Sequence, residues 1–186
     1  SVKAAAGNGI LTVVSVEKSR KTTMSPGLYD LTELQRDANR KFGFSAKETL
    51  NIMQRLYENH KVLTYPRTDS RFIGTDVVPT IKERLKSCAV GPYRKIAGAL
   101  SMKPVKVNKS FVDDKKVSDH HAIIPTEQFV QLERMTNEER KIYDLVVRRF
   151  FSVLYPPFEY EQILMTGEAG NEIFTAKGKV VKSQGW

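Results

Sequence analysis

The sequence predicts an α+β protein in which a mainly helical domain is inserted into a β-rich hinge domain that supplies both ends of the chain. Two observations predict it. β-Branched or alternating stretches occupy residues 10–16 and the region from Phe158 onward. Between them, helix-start signals with capping-box spacing recur at Thr32/Gln35, Ser45/Glu48 and Thr136/Glu139. The expected division is a β-rich segment over residues 1–30, a helical domain over 31–157 and a returning β-rich segment over 158–186. A chain of 186 residues fits one domain, or one with a small second, at roughly 100–200 residues per domain.

Taken in order, residues 1–9 carry no periodicity and 10–16 read as a strand. Residues 17–23 then turn polar and basic, and Lys18-Ser19-Arg20-Lys21 is either a solvated loop or a contact for a nucleic-acid backbone. Ser25-Pro26-Gly27 marks a turn. Leu34, Ala38 and Phe42 trace the apolar face of a first helix ending near Gly43, and Leu50, Met53, Leu56 and Tyr57 that of a second. The two form a hairpin that delivers the chain to Tyr65. Polar Gln35, Asp37, Arg55 and Glu58 on these helices either line a channel or face water.

Further helices are expected from near Thr75, with Pro79 in the first turn, and from Gly91-Pro92 through Leu100. Residues 102–117 are lysine-rich and without period, so an exposed connection is expected there. Ile142, Leu145, Val146, Phe150, Val153 and Leu154 build a long helix that Pro156-Pro157 ends. Strands follow at 159–165, then 173–176 and 180–181 around Gly178, with a turn at 167–171.

The formal charge of +9 makes an anionic partner plausible, one held strongly at low salt and weakly at high salt. No apolar run approaches the roughly 20 residues of a spanning helix, which argues against a membrane. Cys88 is the single cysteine, so an internal disulfide is excluded.

The chemistry concentrates in Leu63-Thr64-Tyr65-Pro66-Arg67-Thr68-Asp69-Ser70. Pro66 breaks a strand-like run and leaves Tyr65 at a rim. A phenol with a reference pKa of about 10 costs roughly 4 kcal/mol to ionise at pH 7 unless a neighbour favours the anion. Arg67, two residues on and on the same side of an extended backbone, offers a permanently charged fork that suits phosphate oxygens. The plainer alternative is a Tyr65 ring packed in the core and an Arg67–Asp69 surface ion pair. Likewise His120-His121 can serve a metal, a phosphate or the fold. No second His/Cys cluster accompanies them at zinc spacing, which makes metal the weakest of the three.

The segments 31–38, 42–46, 54–58 and 63–71, followed by Ser118-Asp119-His120-His121-Ala122-Ile123-Ile124-Pro125-Thr126, closely resemble the motifs of type IA DNA topoisomerases, in that family's order. The resemblance implies a tyrosine-bearing helical domain carried by a β-rich hinge that swings to open a gate. It implies that Tyr65 is the nucleophile and that Arg67 and His120 serve the scissile phosphate, with Arg67, Thr68, Ser70 and His120 contacting DNA. The partner it implies is single-stranded DNA, cut to a 5′-phosphotyrosine and a free 3′-hydroxyl and resealed after strand passage, without ATP.

Magnesium is implied for the complete enzyme, on an acidic domain whose glutamate and Asp-x-Asp set have no counterpart in this sequence. Adjacent Asp113 and Asp114 alternate sides if extended and do not replace it. The chain is therefore expected to be a fragment with no metal or cofactor site of its own, inactive or nearly so without the missing domains of the same polypeptide. A monomer in the cytoplasm, associated with the nucleoid, is the accompanying expectation. Two rivals are a noncatalytic module that binds single-stranded nucleic acid and a purely structural interaction domain.

Overall fold

The computed structural model describes residues 10–186; the unpatterned stretch 1–9 lies outside them. The chain divides into two compact units. One takes the described residues up to Ser25 together with Pro156–Trp186, and the other takes Pro26–Tyr155.

The first unit is a three-stranded antiparallel sheet in the order β1 (Thr12–Thr23), β2 (Phe158–Ala169), β3 (Glu172–Ser183). β1 runs past the expected end at residue 16. The basic run 18–21 is strand, not loop, because β2 pairs with it as far as Thr23↔Phe158 and a backbone ladder is indifferent to side-chain polarity. β3 likewise passes unbroken through Gly178, and the turn shrinks to Gly170-Asn171, where Gly170 takes a φ of 63° that a tight hairpin requires.

The helical unit holds α1 (Leu31–Phe42), α2 (Ala46–Glu58), α3 (Ile81–Ser87), α4 (Arg94–Ser101) and α5 (Asn137–Leu154). Ser45/Glu48 and Thr136/Glu139 form both halves of their capping boxes. Thr32/Gln35 does not. Asp30 caps α1 instead, accepting from the Glu33 amide at 2.7 Å, since a carboxylate two residues earlier meets the same free amides and the positive end of the helix. α3 starts later than residue 75: Pro79 sits in a 3-10 turn, Val78–Thr80, before the helix proper. Another such turn, Gly91–Tyr93, precedes α4. The connection 102–117 is mostly exposed, yet Phe111 is buried within it and Val112 bridges Ile73 in parallel.

The core gathers Leu34 and Ala38 of α1, Ile52, Met53 and Leu56 of α2, and Ile142, Tyr143, Val146 and Phe150 of α5. Two buried ionic clusters tie α5 to the hairpin. Asp37 accepts from Tyr29, Arg40 and Arg149. Glu139 accepts from Arg55 at 2.8 Å and pairs with His60 at 3.2 Å. Burial works against the Glu139 carboxylate, but the hydrogen bonds from Arg55 and the Thr136 amide outweigh it and hold its pKa below the ordinary value. Asp37 and Arg55 thus serve the fold, and Gln35 spends its amide on the Ala46 carbonyl. Among the described residues, no helix is long and apolar enough to cross a membrane.

Candidate active site

Asn59 caps the end of α2, and Lys61, at a φ of 57°, turns the chain back so that the Val62 amide reaches the Leu56 carbonyl. From there the backbone is laid against the segment 122–126. The Thr64 amide donates to Ile124, its hydroxyl donates to the Ala122 carbonyl at 3.1 Å and accepts from the Ile124 amide at 3.0 Å, and Leu63 bridges Pro125. From behind, α3 braces the same segment: buried Arg84 donates to the Pro125 carbonyl and Ser87 to that of Thr126. This zipper brings Tyr65 and His120 together.

The Tyr65 ring is half-buried and lies on His120, with centroids 4.2 Å apart and planes 35° apart. A second ring, Tyr57 of α2, meets it edge-on at 5.6 Å and 82°. Tyr65 opens into a cleft of about 200 Å³ lined also by Thr64, Gly74, Asp76, Asp119, His120 and His121. Arg67 opens into a neighbouring cleft of about 600 Å³ with Leu31, Leu50, Thr68, Asp69, Asp119 and His120. His120 and Asp119 line both. Tyr65 and Arg67 therefore do not share the one pocket that a simple extended backbone suggests; they line two pockets, and His120 lines both.

Beyond Tyr65, side chains alternate: Pro66, Thr68 and Ser70 are buried, Arg67 and Asp69 exposed. The surface ion pair is not formed. Asp69 accepts from Ser118 at 3.2 Å, and Arg67 has no ion-pair partner among the described residues. Thr68 and Ser70, expected at DNA, are 7% and 5% exposed, and their hydroxyls are occupied within the protein. Thr68 donates to the His120 carbonyl at 3.0 Å and accepts from the Ser70 amide; Ser70 donates to the Lys116 carbonyl at 2.8 Å. Both hold the His120 segment in place, because the pleat turns these two positions inward.

His121 is half-buried, and its Nδ1–H donates to the Ala122 carbonyl at 2.8 Å. Burial pushes its pKa below the usual histidine value, a shift that this hydrogen bond only partly offsets. The unfolded chain then binds the proton more readily, so stability falls as pH drops through the range just below about 6.5. His121→Asn is expected to lose less melting temperature than the wild type between pH 7.5 and 5.5; equal losses would remove His121 as the cause.

The carboxylates nearby do not fit a magnesium site. Asp114 accepts from the Thr75 amide and hydroxyl, Asp113 from the Lys115 amide, and no group of three His, Cys, Asp or Glu side chains converges among the described residues.

The family model described as DNA topoisomerase matches residues 1–186. This chain belongs to the DNA topoisomerase family. It is similar to the DNA topoisomerase 3 of Bacillus thuringiensis (strain Al Hakam), 65% identical over 175 residues that make 94% of this chain and 24% of that protein. The DNA topoisomerase 3 of Bacillus subtilis (strain 168) is 55% identical over 174 residues, with the same coverage of each. Among solved structures, full-length topoisomerase I from Thermotoga maritima matches with a TM-score of 0.68 and 25% identity, over 97% of this chain and 29% of that one. This topoisomerase chain thus spans about a quarter of the curated relatives it matches.

Two residues of the site escape a reading of the topoisomerase sequence by periodicity. Leu50 and Tyr57 are assigned by it to the apolar side of α2, yet the buried stripe is Thr49, Ile52, Met53 and Leu56. Leu50 and Tyr57, each one position beyond that stripe and seven residues apart, share a different face; Leu50 lines the cleft beside Arg67, and Tyr57 meets the Tyr65 ring. Their common seven-residue spacing is the signal that was available.

Proposed function

We propose that this chain carries the nucleophile and the phosphate-side groups of a type IA DNA topoisomerase of the topoisomerase III kind, which cleaves and rejoins single-stranded DNA. The observation that supports it best is a Tyr65 ring open to a cleft and lying on His120, with Arg67, which has no ion-pair partner among the described residues, in a neighbouring cleft that the same histidine lines.

In this reading the scissile phosphate seats at His120, where both clefts meet. The Tyr65 oxygen attacks phosphorus as its proton passes to solvent, the bond from phosphorus to the 3′-oxygen breaks, and that oxygen takes a proton from solvent to leave as a hydroxyl. Arg67 neutralises charge on the phosphoryl oxygens and His120 donates a hydrogen bond to them. Thr68 and Ser70 act through the backbone of His120 and Lys116. Reversal rejoins the strand, and the bond energy kept in the tyrosyl ester removes any need for ATP.

The remaining length of the protein supplies the acidic domain for magnesium, the gate movement and the rest of the DNA path, so this chain alone is not expected to relax supercoiled DNA. A monomeric protein at the nucleoid completes the reading.

The test is to incubate the full-length protein with labelled single-stranded oligonucleotide and stop the reaction with denaturant. A covalent adduct is expected; salt-sensitive binding with no adduct would instead favour the noncatalytic module. Arg67→Ala is expected to lower the cleavage rate roughly 100-fold, the usual loss when one preorganised charge-stabilising group is removed. The fold should survive, because Arg67 is exposed and holds no ion pair among the described residues. An unchanged single-turnover rate would take Arg67 out of the chemistry.

A further inference from the structure

We infer that Tyr57 is a positioning residue for the Tyr65 nucleophile, an inference that rests on the topoisomerase reading above. Tyr57 is 37% exposed and lies off the buried stripe of α2, so filling the core does not account for it. Its ring meets Tyr65 at 82°, in the edge-to-face arrangement that the opposed quadrupoles of two aromatic rings favour. Tyr65 therefore has two aromatic neighbours of different kinds, Tyr57 against its edge or face at 5.6 Å and His120 nearly parallel at 4.2 Å.

These ring contacts matter because the Tyr65 side chain has two free torsions. Left unrestrained, its phenolic oxygen sweeps an arc, and each attack must first freeze that motion. Contact with two rings at steep and shallow angles restricts the first side-chain torsion as well as the ring plane in advance, so the arc of the phenolic oxygen is shortened and the cost of reaching an in-line approach to phosphorus falls. The platform for Tyr57 is itself fixed. The turn immediately after it is held by the Asn59 amide on the Arg55 carbonyl, and Arg55 and His60 both reach the buried Glu139 of α5. The nucleophile is thereby referenced to the helical core through α2 as well as to its own loop.

The experiment compares Tyr57→Phe, Tyr57→Leu and Tyr57→Ala in the full-length protein. It measures single-strand affinity and single-turnover cleavage separately, well below the melting temperature of each variant. Phe keeps the ring edge and is expected to cleave at the wild-type rate. Leu and Ala are expected to cleave roughly fivefold more slowly at unchanged affinity, the loss that corresponds to one aromatic pair. The inference is overturned if Leu matches Phe, if Ala cleaves normally, or if Ala loses affinity in step with rate, which would make Tyr57 a stacking platform for a base. Tyr65→Phe, run alongside, keeps the two levels apart. An adduct that survives it removes the underlying reading, whereas a Tyr57 series without effect beside a lost adduct removes this inference alone.

Discussion

Tyr65→Phe in the full-length protein is expected to abolish the covalent adduct and strand cleavage completely, while leaving stability within about 0.5 kcal/mol of the wild type. The asymmetry follows from how the side chain is held. What anchors Tyr65 is its ring, against His120 and Tyr57, and phenylalanine keeps that ring. What is lost is the phenolic oxygen of a ring that lines the cleft, and the hydroxyls of Thr64, Thr68 and Ser70 are all bound to backbone groups. A denaturing gel reads the adduct and a thermal melt reads the fold. Persistent adduct at wild-type levels would place the nucleophile elsewhere.

Asp37→Ala is expected to destabilise the helical unit by about 3–5 kcal/mol, the cost of stranding a buried charge whose partner has been removed. Asp37 is 7% exposed and accepts from the Tyr29 hydroxyl at 2.5 Å and from Arg149 at 2.8 Å. Arg149 also lies over the Tyr29 ring, 4.0 Å from its centroid, and donates to the Gly27 carbonyl. Burial first, and then the hydrogen bond to Asp37, push the Tyr29 pKa well above the ordinary phenol value, so its proton stays on and is donated. Removing the carboxylate leaves the Arg149 guanidinium without its counter-charge. Urea unfolding should show the full loss in Asp37→Ala and recover part of it when Arg149→Met is added, because the two substitutions remove a shared interaction. Additive losses would mean that the pair is not coupled.

Much of the helical scaffold was legible because its signals are local. Ser45/Glu48 and Thr136/Glu139 each place a hydroxyl and a carboxylate three residues apart, and both boxes close. Gly43, at a φ of 73°, ends α1, and Pro156-Pro157 follows the end of α5. Asp30 was overlooked because Thr32/Gln35 offered the same spacing two residues later. The length of β1 was not legible either, since what extends it is a partner strand more than a hundred residues away in sequence, and the added residues 17–23 are all polar.

The site divides along the same line. Tyr65, Arg67 and His120 were named by motif, but that Tyr65 lies on His120 depends on hydrogen bonds between Thr64 and residues 58 and 60 positions away. The inward turn of Thr68 and Ser70 follows from a two-residue alternation that is visible only once the direction of the core is known. Leu50 and Tyr57 look apolar in the sequence and sit on the site because α2 buries a stripe one residue over.

The central claim is that a DNA 5′ end becomes esterified to the Tyr65 oxygen. The direct measurement is to trap the full-length protein on single-stranded DNA, digest both components and sequence the modified peptide by mass spectrometry. The account predicts a nucleotide joined through its 5′-phosphate to Tyr65, with the released fragment ending in a 3′-hydroxyl. A nucleotide attached to another side chain, or joined through its 3′-phosphate, would contradict it.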